Sequence, residues 1–339
     1  MTLRVGLIGA GGNTKLRHIP GFQAIEGVDI TSVCNRSIES GQKVADEFGI
    51  PGVVCDWREV VDDEAVDAIC IGTWPYMHCP MTLAGLAAGK HVLTEARMAM
   101  SLAEAGQMHA AAQASDRVAM IVPAPFYLAY ERTLLDMLAE GVFGDLLEIH
   151  VCGLGGGHDP GGARTWRQRR DLSGSNIMAM GILNETVRRY AGHERSLVAS
   201  GKIHVEDRVD PDTGEAVQAD IPDSLGIVAE HRNGAVAVYH LSNVARGGRN
   251  GSFEVFGTKG AFRLEGGKAW VATGGDFEEL KVVPEKMGGW RVEEDFVDAI
   301  RDGRPVTHTS FADGVRYMQF TEAVQIALVE GRRVELGEL

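Results

Sequence analysis

The chain begins with a strand that leads directly into a glycine-rich turn. Leu3–Ile8 is an apolar run of strand length, and Gly9, Gly11 and Gly12 follow it. A strand, a G-x-G turn and a helix in this order are typical of a mononucleotide-binding βαβ unit. The glycines allow the turn and the close approach of a pyrophosphate, and the next helix attracts its negative charge. Thr14 stands where a third glycine is expected, so a glycine turn without a ligand is the alternative interpretation.

Strand and helix patterns then alternate up to residue 122. Apolar runs without polar alternation, such as 65–71, are typical of strands that are covered on both faces of a parallel sheet. The repeated βα order predicts an α/β fold with a doubly wound parallel sheet in a domain that spans residues 1–122. Further strands are predicted at 28–34, 53–54, 91–94 and 118–122. Helices are predicted at 14–26, with an interruption near Pro20, and at 39–48, 57–61 and 81–88.

A second domain is predicted over residues 123–339. It contains several short strands, among them 227–231 and 235–241, which Arg232-Asn233-Gly234 joins as a hairpin. Its helices are predicted at 176–190, 293–301 and 312–329. Residues 207–222 are acidic and rich in turn residues, and we expect them at the surface.

Composition narrows the classes of partner. The formal net charge of the 339 residues is −14, which argues against nucleic acid or an anionic membrane as a general partner. No apolar run reaches 18 residues, and the first strand leaves no room for a signal peptide. The five cysteines form no C-x-x-C pair, and neither H-x-x-x-H nor clustered carboxylates occur. We therefore expect a cytoplasmic protein with reduced thiols and no metal.

Several strings resemble the glucose–fructose oxidoreductase / inositol dehydrogenase / rhizopine-catabolism family of NAD(P)-dependent enzymes. Gly89–Glu95 matches G-K-H-V-x-x-E, Gly141–Asp145 matches a G-x-x-G turn, and Trp166-Arg167 matches a W-R pair. Phe253–Gly260 matches a strand-turn string ending in G-T-x-G. The resemblance covers nearly the whole chain. It implies a Rossmann domain followed by an α+β domain with a large, open, mainly antiparallel sheet, and chemistry on sugar or cyclitol hydroxyls or the corresponding ketones.

The departures from that family fall on residues that carry its chemistry. The family's E-K-P reads Glu95-Ala96-Arg97, so that its lysine is absent. Its D-x-G-x-H reads Ala179–Leu183, which removes both the aspartate and the histidine. Its T-P-N-x-x-H keeps only Thr73 and His78. A positioned acid or base contributes about 10²–10⁴-fold to such reactions, so we expect a different set of residues for proton transfer.

Cofactor contacts are expected along the carboxyl ends of the strands, because ligands bind there in open α/β sheets. The end of the second strand carries Arg36 and Ser37 in place of the carboxylate that is typical of NAD-selective folds. A cation and a hydroxyl suit a 2′-phosphate, which favours NADP over NAD, whereas stacking on adenine or helix capping by Arg36 is the alternative. The predicted cofactor-binding residues are Gly9, Gly11, Gly12, Asn13, Thr14, Asn35, Arg36, Ser37, Thr73, Trp74, His78 and Glu95.

Three residues are candidates for catalysis in place of the missing lysine. Tyr76 and His78 follow a buried strand, and both side chains can exchange protons. Arg97 stays protonated and could stabilise an oxyanion. The alternatives are that Tyr76 is a pocket wall, that His78 caps the helix starting at Pro80, and that Arg97 lies at the surface.

Substrate contacts are expected in the second domain. Helical spacing places Asn176, Met180 and Asn184 on one face, and two amides among apolar residues suggest hydrogen bonds to hydroxyls. Four arginines within 164–170 fit a carboxylate or phosphate on the substrate, with a solvated charge run as the alternative. The predicted substrate-binding residues are Arg97, Tyr127, Arg164, Trp166, Arg167, Asn176, Met180 and Asn184.

Taken with the resemblance, the sequence predicts an NAD(P)-dependent oxidoreductase that acts on a sugar, cyclitol or related polyhydroxy compound. The alternatives are a nicotinamide-dependent glycosidase or lyase with no net redox change, and a silent nucleotide-binding regulator. The open sheet also predicts a homodimer or homotetramer built through it.

Overall fold

The computed structural model describes residues 2–125 and 127–339 and divides into two compact units. Unit 1 contains Met1–Pro123 and Arg291–Arg316, and unit 2 contains Ala124–Trp290 and Tyr317–Leu339. The strands are β1 Leu3–Ile8, β2 Val28–Cys34, β3 Gly52–Val54, β4 Ala68–Ile71, β5 His91–Thr94, β6 Ala119–Ile121, β7 Leu146–Leu154, β8 Glu194–Lys202, β9 Asp207–Val209, β10 Ala216–Gln218, β11 Ser224–His231, β12 Val236–Ser242, β13 Asn250–Gly257, β14 Ala261–Glu265, β15 Lys268–Ala272, β16 Glu278–Glu279 and β17 Val334–Glu335. The helices are α1 Ile19–Ala24, α2 Ile38–Phe48, α3 Trp57–Asp62, α4 His78–Ala87, α5 Leu102–Gln113, α6 Glu131–Ala139, α7 Arg170–Ser173, α8 Met180–Ala191, α9 Val292–Asp302 and α10 Phe311–Glu330.

Unit 1 is built on a six-stranded sheet in the order β3-β2-β1-β4-β5-β6, and every pair in it is parallel. The apolar side chains of the central strands, such as Leu7 and Ile69, are fully buried. The strand order reverses between β1 and β4, which is where a crevice forms at the carboxyl ends of such a sheet. The doubly wound parallel sheet predicted from the sequence is confirmed.

The division into units differs from the predicted domains at one segment. The sequence prediction placed all of 123–339 in the second domain, whereas Arg291–Arg316 groups with unit 1. The reason is packing of α9 on α1, in which the rings of Phe296 and Phe22 lie 6.4 Å apart. Because α9 lies far from the other elements of unit 1 in the sequence, the local pattern around α9 does not indicate that this helix packs in unit 1.

Unit 2 is built on a nine-stranded sheet in the order β16-β15-β14-β13-β7-β12-β11-β8-β17. Its pairs are antiparallel except for β7 with β12, which is parallel. The predicted large, mainly antiparallel sheet is therefore confirmed. Residues 232–234 form the turn of the β11–β12 hairpin as expected, and the 207–222 segment carries the small β9–β10 hairpin. Strands β8 and β15 were not predicted.

Polar side chains cap the starts of α2, α3 and α5. Ser37 and Ser101 accept hydrogen bonds from backbone N–H groups three residues on, at the starts of α2 and α5. A π-helical turn, Thr14–His18, leads directly into α1, which contains Pro20. The interruption predicted near Pro20 is therefore wrong, because a proline is tolerated in the first turn of a helix. Within 2–125 and 127–339, no helix is long and apolar enough to cross a bilayer.

Candidate functional site

The glycine turn after β1 has the backbone that its sequence predicts. Gly9 adopts a φ of +89°, and a Cβ built on it would lie 2.8 Å from the backbone N of Thr73. Gly11 and Gly12 are exposed, and a Cβ on Gly12 would meet no atom within 4 Å. The turn therefore needs glycine at residue 9 for its own geometry, while residues 11 and 12 leave open space where a ligand could approach the backbone.

Thr14 takes a structural role at the position of the missing glycine. Its side chain is buried, and its hydroxyl donates to the carbonyl oxygen of Gly9 at 3.1 Å. A Cβ on Gly72, at the end of β4, would lie 2.2 Å from the Thr14 Oγ1. The Thr14 side chain thus packs the glycine turn closely against the end of β4. In the usual fingerprint, the third glycine serves close packing of the helix against the strand.

The carboxyl end of β2 carries the residues that were predicted to select the cofactor. The Asn35 carboxamide accepts from the Ala10 N–H at 2.8 Å and donates to the Ser40 carbonyl oxygen at 3.2 Å. Asn35 therefore fixes the glycine turn to the start of α2. Ser37 caps α2, and the exposed Arg36 guanidinium lies 4.9 Å from the centre of the Trp74 ring.

A cavity of about 360 Å³ lies between the glycine turn and the ends of β2, β3 and β4. Its volume is in the range of small-molecule sites. Tyr76 is 36% exposed and lines this cavity together with Trp57 and Trp74. The remaining lining includes Gly9, Gly11, Cys34, Asn35, Arg36, Ser40, Cys55 and Thr73. Tyr76 thus shares a pocket with the residues of the β2 end, a placement that favours the pocket-wall interpretation over proton transfer.

His78 and Arg97 are both buried, with exposed fractions of 0% and 4%. The His78 ring nitrogens lie 2.9 Å from the Arg97 carbonyl oxygen and 3.0 Å from the Thr73 carbonyl oxygen. Burial lowers the pKa of His78, so its ring is neutral at neutral pH. These contacts favour a structural role for His78, which ties the loop after β4 to the chain after β5.

Glu95 lies beside the glycine turn, in a cluster that sequence reasoning missed. Its Oε1 accepts from the Asn13 amide at 2.5 Å and from His18 Nε2 at 3.0 Å. The other ring nitrogen of His18 lies 2.5 Å from Glu293 Oε1. His18 and Glu293 are 275 residues apart, and a lone histidine in a short helical segment offered no signal for this contact.

The predicted amide face of α8 is the buried face of that helix. Met180 is fully buried among Val187 and other core residues of unit 2. Asn184 is also fully buried, and its amide donates to Glu194 at 2.5 Å and to the Tyr239 hydroxyl at 3.2 Å. Helical periodicity showed which residues share a face but not that the face meets the sheet.

Asn176 precedes α8 instead of lying on it, because the helix begins at Met180. Its side chain is 1% exposed and its amide donates to the Ser173 carbonyl oxygen at 2.6 Å. Tyr127 is likewise fully buried and donates to Glu185 at 2.8 Å. The structure therefore brings Asn176, Met180, Asn184 and Tyr127 into the interior of unit 2, where their contacts serve packing and hydrogen bonding.

Acidic residues of unit 2 form ion pairs with two of the four arginines in the arginine-rich loop. Arg164 lies 3.4 Å from Asp210, and Arg169 lies 2.7 Å from Asp171. The exposed Arg167 guanidinium stacks 4.1 Å from the centre of the Trp166 ring. The Trp166–Arg167 pair, rather than the whole run, remains the candidate for a substrate with an apolar face or a negative charge.

Unit 2 also holds a cavity of about 230 Å³ beside α8. Leu183, which stands where the resemblance places a histidine, lines it together with Thr186 and Ser252. Tyr130, Glu265 and Lys268 complete its polar lining. Apart from Leu183, sequence reasoning did not single these residues out, because they come from separate elements of the unit.

Metal ligands were not expected from the sequence. Over 2–125 and 127–339, no group of three or more His, Cys, Asp or Glu residues could hold a metal ion. The five cysteines are free thiols, and burial raises the pKa of Cys34 and of Cys79 to about 11.

Comparisons with known proteins agree with this architecture. Residues 3–122 match the model of an oxidoreductase family with an NAD-binding Rossmann fold, and residues 132–263 match the GFO/IDH/MocA C-terminal domain. The levoglucosan dehydrogenase of Pseudarthrobacter phenanthrenivorans is 25% identical over 95% of this chain and 95% of its own. The 1,5-anhydro-D-fructose reductase of Ensifer adhaerens is 28% identical over 76% of this chain and 74% of its own. A solved levoglucosan dehydrogenase in complex with NADH and levoglucosan has the same fold, with a TM-score of 0.87, 22% identity, and coverage of 99% of this chain and 100% of that one. The chain belongs to the GFO/IDH/MocA family of oxidoreductases.

Proposed function

We propose that the protein is an NAD(P)-dependent oxidoreductase that interconverts a hydroxyl and a ketone on a sugar, cyclitol or related polyhydroxy compound. The observation that carries the proposal is the glycine turn with its adjoining cavity at the β1/β4 switch point. Open space at Gly11 and Gly12 fits the approach of a pyrophosphate to the backbone. The named activities of the two enzyme relatives, on levoglucosan and on 1,5-anhydro-D-fructose, support a sugar-like substrate.

The residues around the turn suit a dinucleotide. Gly11, Gly12 and Asn13 would hold the pyrophosphate, and Trp74 would form a wall for the adenosine half. Thr14 and Asn35 would act indirectly, because their side chains fix the turn. When bound, the nicotinamide supplies a site that accepts or donates hydride.

We propose NADP as the preferred nucleotide. The Arg36 guanidinium and the hydroxyls of Ser37 and Ser40 lie together at the N-terminus of α2, and no carboxylate occurs at residues 35–37. Each of these groups attracts a 2′-phosphate. The stacking of Arg36 on Trp74 also suits an adenine ring, in which case NAD would bind equally well.

Proton transfer in this reaction requires a side chain that reaches the reacting atoms. Tyr76, His78 and Arg97 are the predicted catalytic residues, and of the three only Tyr76 presents its side chain to an open cavity. Replacement of Tyr76 by Phe should abolish turnover if the phenol transfers the proton. If it acts as a wall, the same change should alter nucleotide affinity and leave the rate of hydride transfer within a few-fold.

Substrate recognition is proposed for the Trp166–Arg167 pair and the cavity beside Leu183. An indole ring suits the apolar face of a sugar, and a guanidinium suits a carboxylate or phosphate on it. Thr186 and Ser252 add hydroxyl groups that could bind a polyol.

We further propose that the protein self-associates through the outer face of the unit 2 sheet. Val198, Val228, Val236 and Val238 are each about 40% exposed on neighbouring strands. Contiguous apolar surface of this kind is typical of interfaces.

The test has two arms. The purified protein is titrated with NADPH and NADH, and binding is followed by nicotinamide fluorescence. Absorbance of the reduced nicotinamide is then followed with a panel of sugars, sugar acids and cyclitols. No binding at millimolar nucleotide would contradict the proposal, whereas binding without turnover across the panel would favour a regulatory protein.

A further inference from the structure

Unit 1 contains a buried imidazole between two carboxylates. The His18 side chain is 0% exposed, and those of Glu293 and Glu95 are 1% and 16% exposed. His18 Nδ1 lies 2.5 Å from Glu293 Oε1, and His18 Nε2 lies 3.0 Å from Glu95 Oε1. A neutral imidazole has only one N–H group, so it would leave one buried carboxylate facing a lone pair. The geometry suits the doubly protonated ring, which can donate to both carboxylates at once.

The electrostatics of the cluster agree with this geometry. Burial alone would lower the pKa of His18, but hydrogen bonds to Glu293 and Glu95 outweigh it and raise the pKa to about 9. Burial likewise would raise the pKa of Glu95, yet His18 and Asn13 lower it, and the side chain stays an anion.

The other titratable groups near the cluster add no positive charge. Cys70 on β4 interacts electrostatically with both glutamates, and burial raises the pKa of its thiol far above neutrality. His78 interacts with Glu95 over a longer range, and its pKa is lowered by burial. At neutral pH, the positive charge that holds Glu95 therefore comes from His18.

The packing of α1 is adapted to this cluster. Gly21 lies in α1, a position where glycine costs helix stability. A Cβ built on Gly21 would lie 2.7 Å from the Cγ, Cδ and Oε2 atoms of Glu293. Glycine at this residue thus admits the Glu293 side chain, and α9 reaches His18 only because α1 leaves that space.

The cluster determines what Glu95 can offer to a ligand. Its Oε1 is occupied by Asn13 and His18, while Oε2 accepts a longer contact of 3.3 Å from the Ala96 N–H. Asn13 belongs to the glycine turn, so the carboxylate stands at the edge where the dinucleotide is proposed to bind. An ionised, oriented carboxylate is a strong acceptor for a hydroxyl group.

We propose that His18 is a positioning residue, held as an imidazolium by Glu293, that orients the Glu95 carboxylate to accept a hydrogen bond from a ligand hydroxyl at the glycine turn. This inference rests on the proposed function. The hydroxyl belongs either to a ribose of the nucleotide or to the polyol substrate, and both present the same chemistry.

The test compares His18→Gln and Glu293→Gln with the control Glu294→Gln, which makes the same change one residue away on α9. The Kd of NADPH and NADH is measured without substrate, and KM and kcat for the substrate are measured at saturating nucleotide. Loss of one charge-assisted hydrogen bond should weaken binding by about 10- to 100-fold. A rise in Kd assigns the hydroxyl to the nucleotide, and a rise in KM or a fall in kcat at unchanged Kd assigns it to the substrate. Either result supports the inference, whereas His18→Gln and Glu293→Gln with wild-type constants overturn it.

A pH profile separates positioning from a purely structural role. Binding in the wild type should be steady below about pH 9 and weaken above it, as His18 loses its proton. Glu293→Gln should move this fall to lower pH, and Glu294→Gln should leave it in place. If the variants fail to fold, NMR titration of the ring nitrogens of His18 in the wild-type protein still decides, because a pKa at or below 6.5 overturns the inference. If the wild type binds no nucleotide, the proposed function fails. Normal nucleotide binding together with an unshifted pKa of His18 overturns only the positioning role of His18 and leaves the proposed function in place.

Discussion

Substitutions in the glycine turn should separate its structural requirement from its binding role. Gly9 has a φ of +89°, which costs an alanine about 1–2 kcal/mol. The new Cβ would lie 2.8 Å from the Thr73 backbone N and 2.9 Å from the Gly72 carbonyl carbon, and such overpacking costs about 1–3 kcal/mol. Gly9→Ala should therefore destabilise unit 1 by about 2–5 kcal/mol, and lower its Tm by roughly 4–20 °C.

Gly12→Ala is the matched control, because a Cβ there meets no atom within 4 Å and the residue is exposed. Its free energy of unfolding should stay within about 1 kcal/mol of wild type, while nucleotide affinity should fall by about ten-fold as the methyl group occupies the ligand's approach. Thermal unfolding followed by circular dichroism measures the first quantity, and NADPH titration the second. A stable Gly9→Ala protein would refute the argument from backbone geometry. A Gly12→Ala protein with wild-type affinity would refute the pyrophosphate site.

Three further substitutions test other parts of the structure. Arg36→Asp should shift the ratio of Kd values for NADPH and NADH toward NADH by at least about ten-fold, since it replaces an attraction for the 2′-phosphate by a repulsion. The control Lys43→Asp, on the helix that follows Arg36, should leave the ratio unchanged, and an unchanged ratio in Arg36→Asp refutes the NADP preference. Asn184→Ala should lower the free energy of unfolding by about 1–3 kcal/mol, because its hydrogen bonds to Glu194 and Tyr239 are lost. The KM for the substrate should stay unchanged in the folded protein. A rise in KM without loss of stability would instead indicate that Asn184 binds the substrate. Burial raises the pKa of Glu194 to about 7, so between about pH 4.5 and 7 the folded state holds a proton that the unfolded state has released. The free energy of unfolding should therefore fall as the pH rises through this window, by up to about 1.4 kcal/mol per pH unit. A Glu194→Gln protein with the same pH slope in urea unfolding would contradict this.

The fold was predictable because its signals are local. The strands of the first sheet are short and mainly apolar segments, and glycine at residue 9 marks the strand-to-helix turn by its conformational requirement. The resemblance supplied the antiparallel character of the second sheet. The boundary at α9 was not predictable, since its packing on α1 depends on a contact between elements far apart in the sequence.

The candidate site was predictable only in part, for physical reasons that differ between residues. A helical pattern identifies the shared face of Met180 and Asn184. The sequence does not distinguish an amide that donates to a buried glutamate, as Asn184 does, from an amide that binds a substrate. The charge of the arginine-rich loop was overestimated, because Asp210 offsets Arg164 from a separate hairpin. His18 and Glu293 were missed because neither residue is unusual until the fold brings them together.

The central claim is that this protein moves hydride between a nicotinamide and a polyhydroxy compound. The most direct measurement uses a sugar or cyclitol from the panel that carries deuterium at the reacting carbon. The protein is incubated with this compound and NADP, and the nicotinamide is then analysed by NMR. The account predicts deuterium at the hydride-accepting carbon of the nicotinamide, in amounts equal to the ketone formed. A cleavage product without ketone, and without label in the released nicotinamide, would contradict it and would favour a reaction with no net redox change.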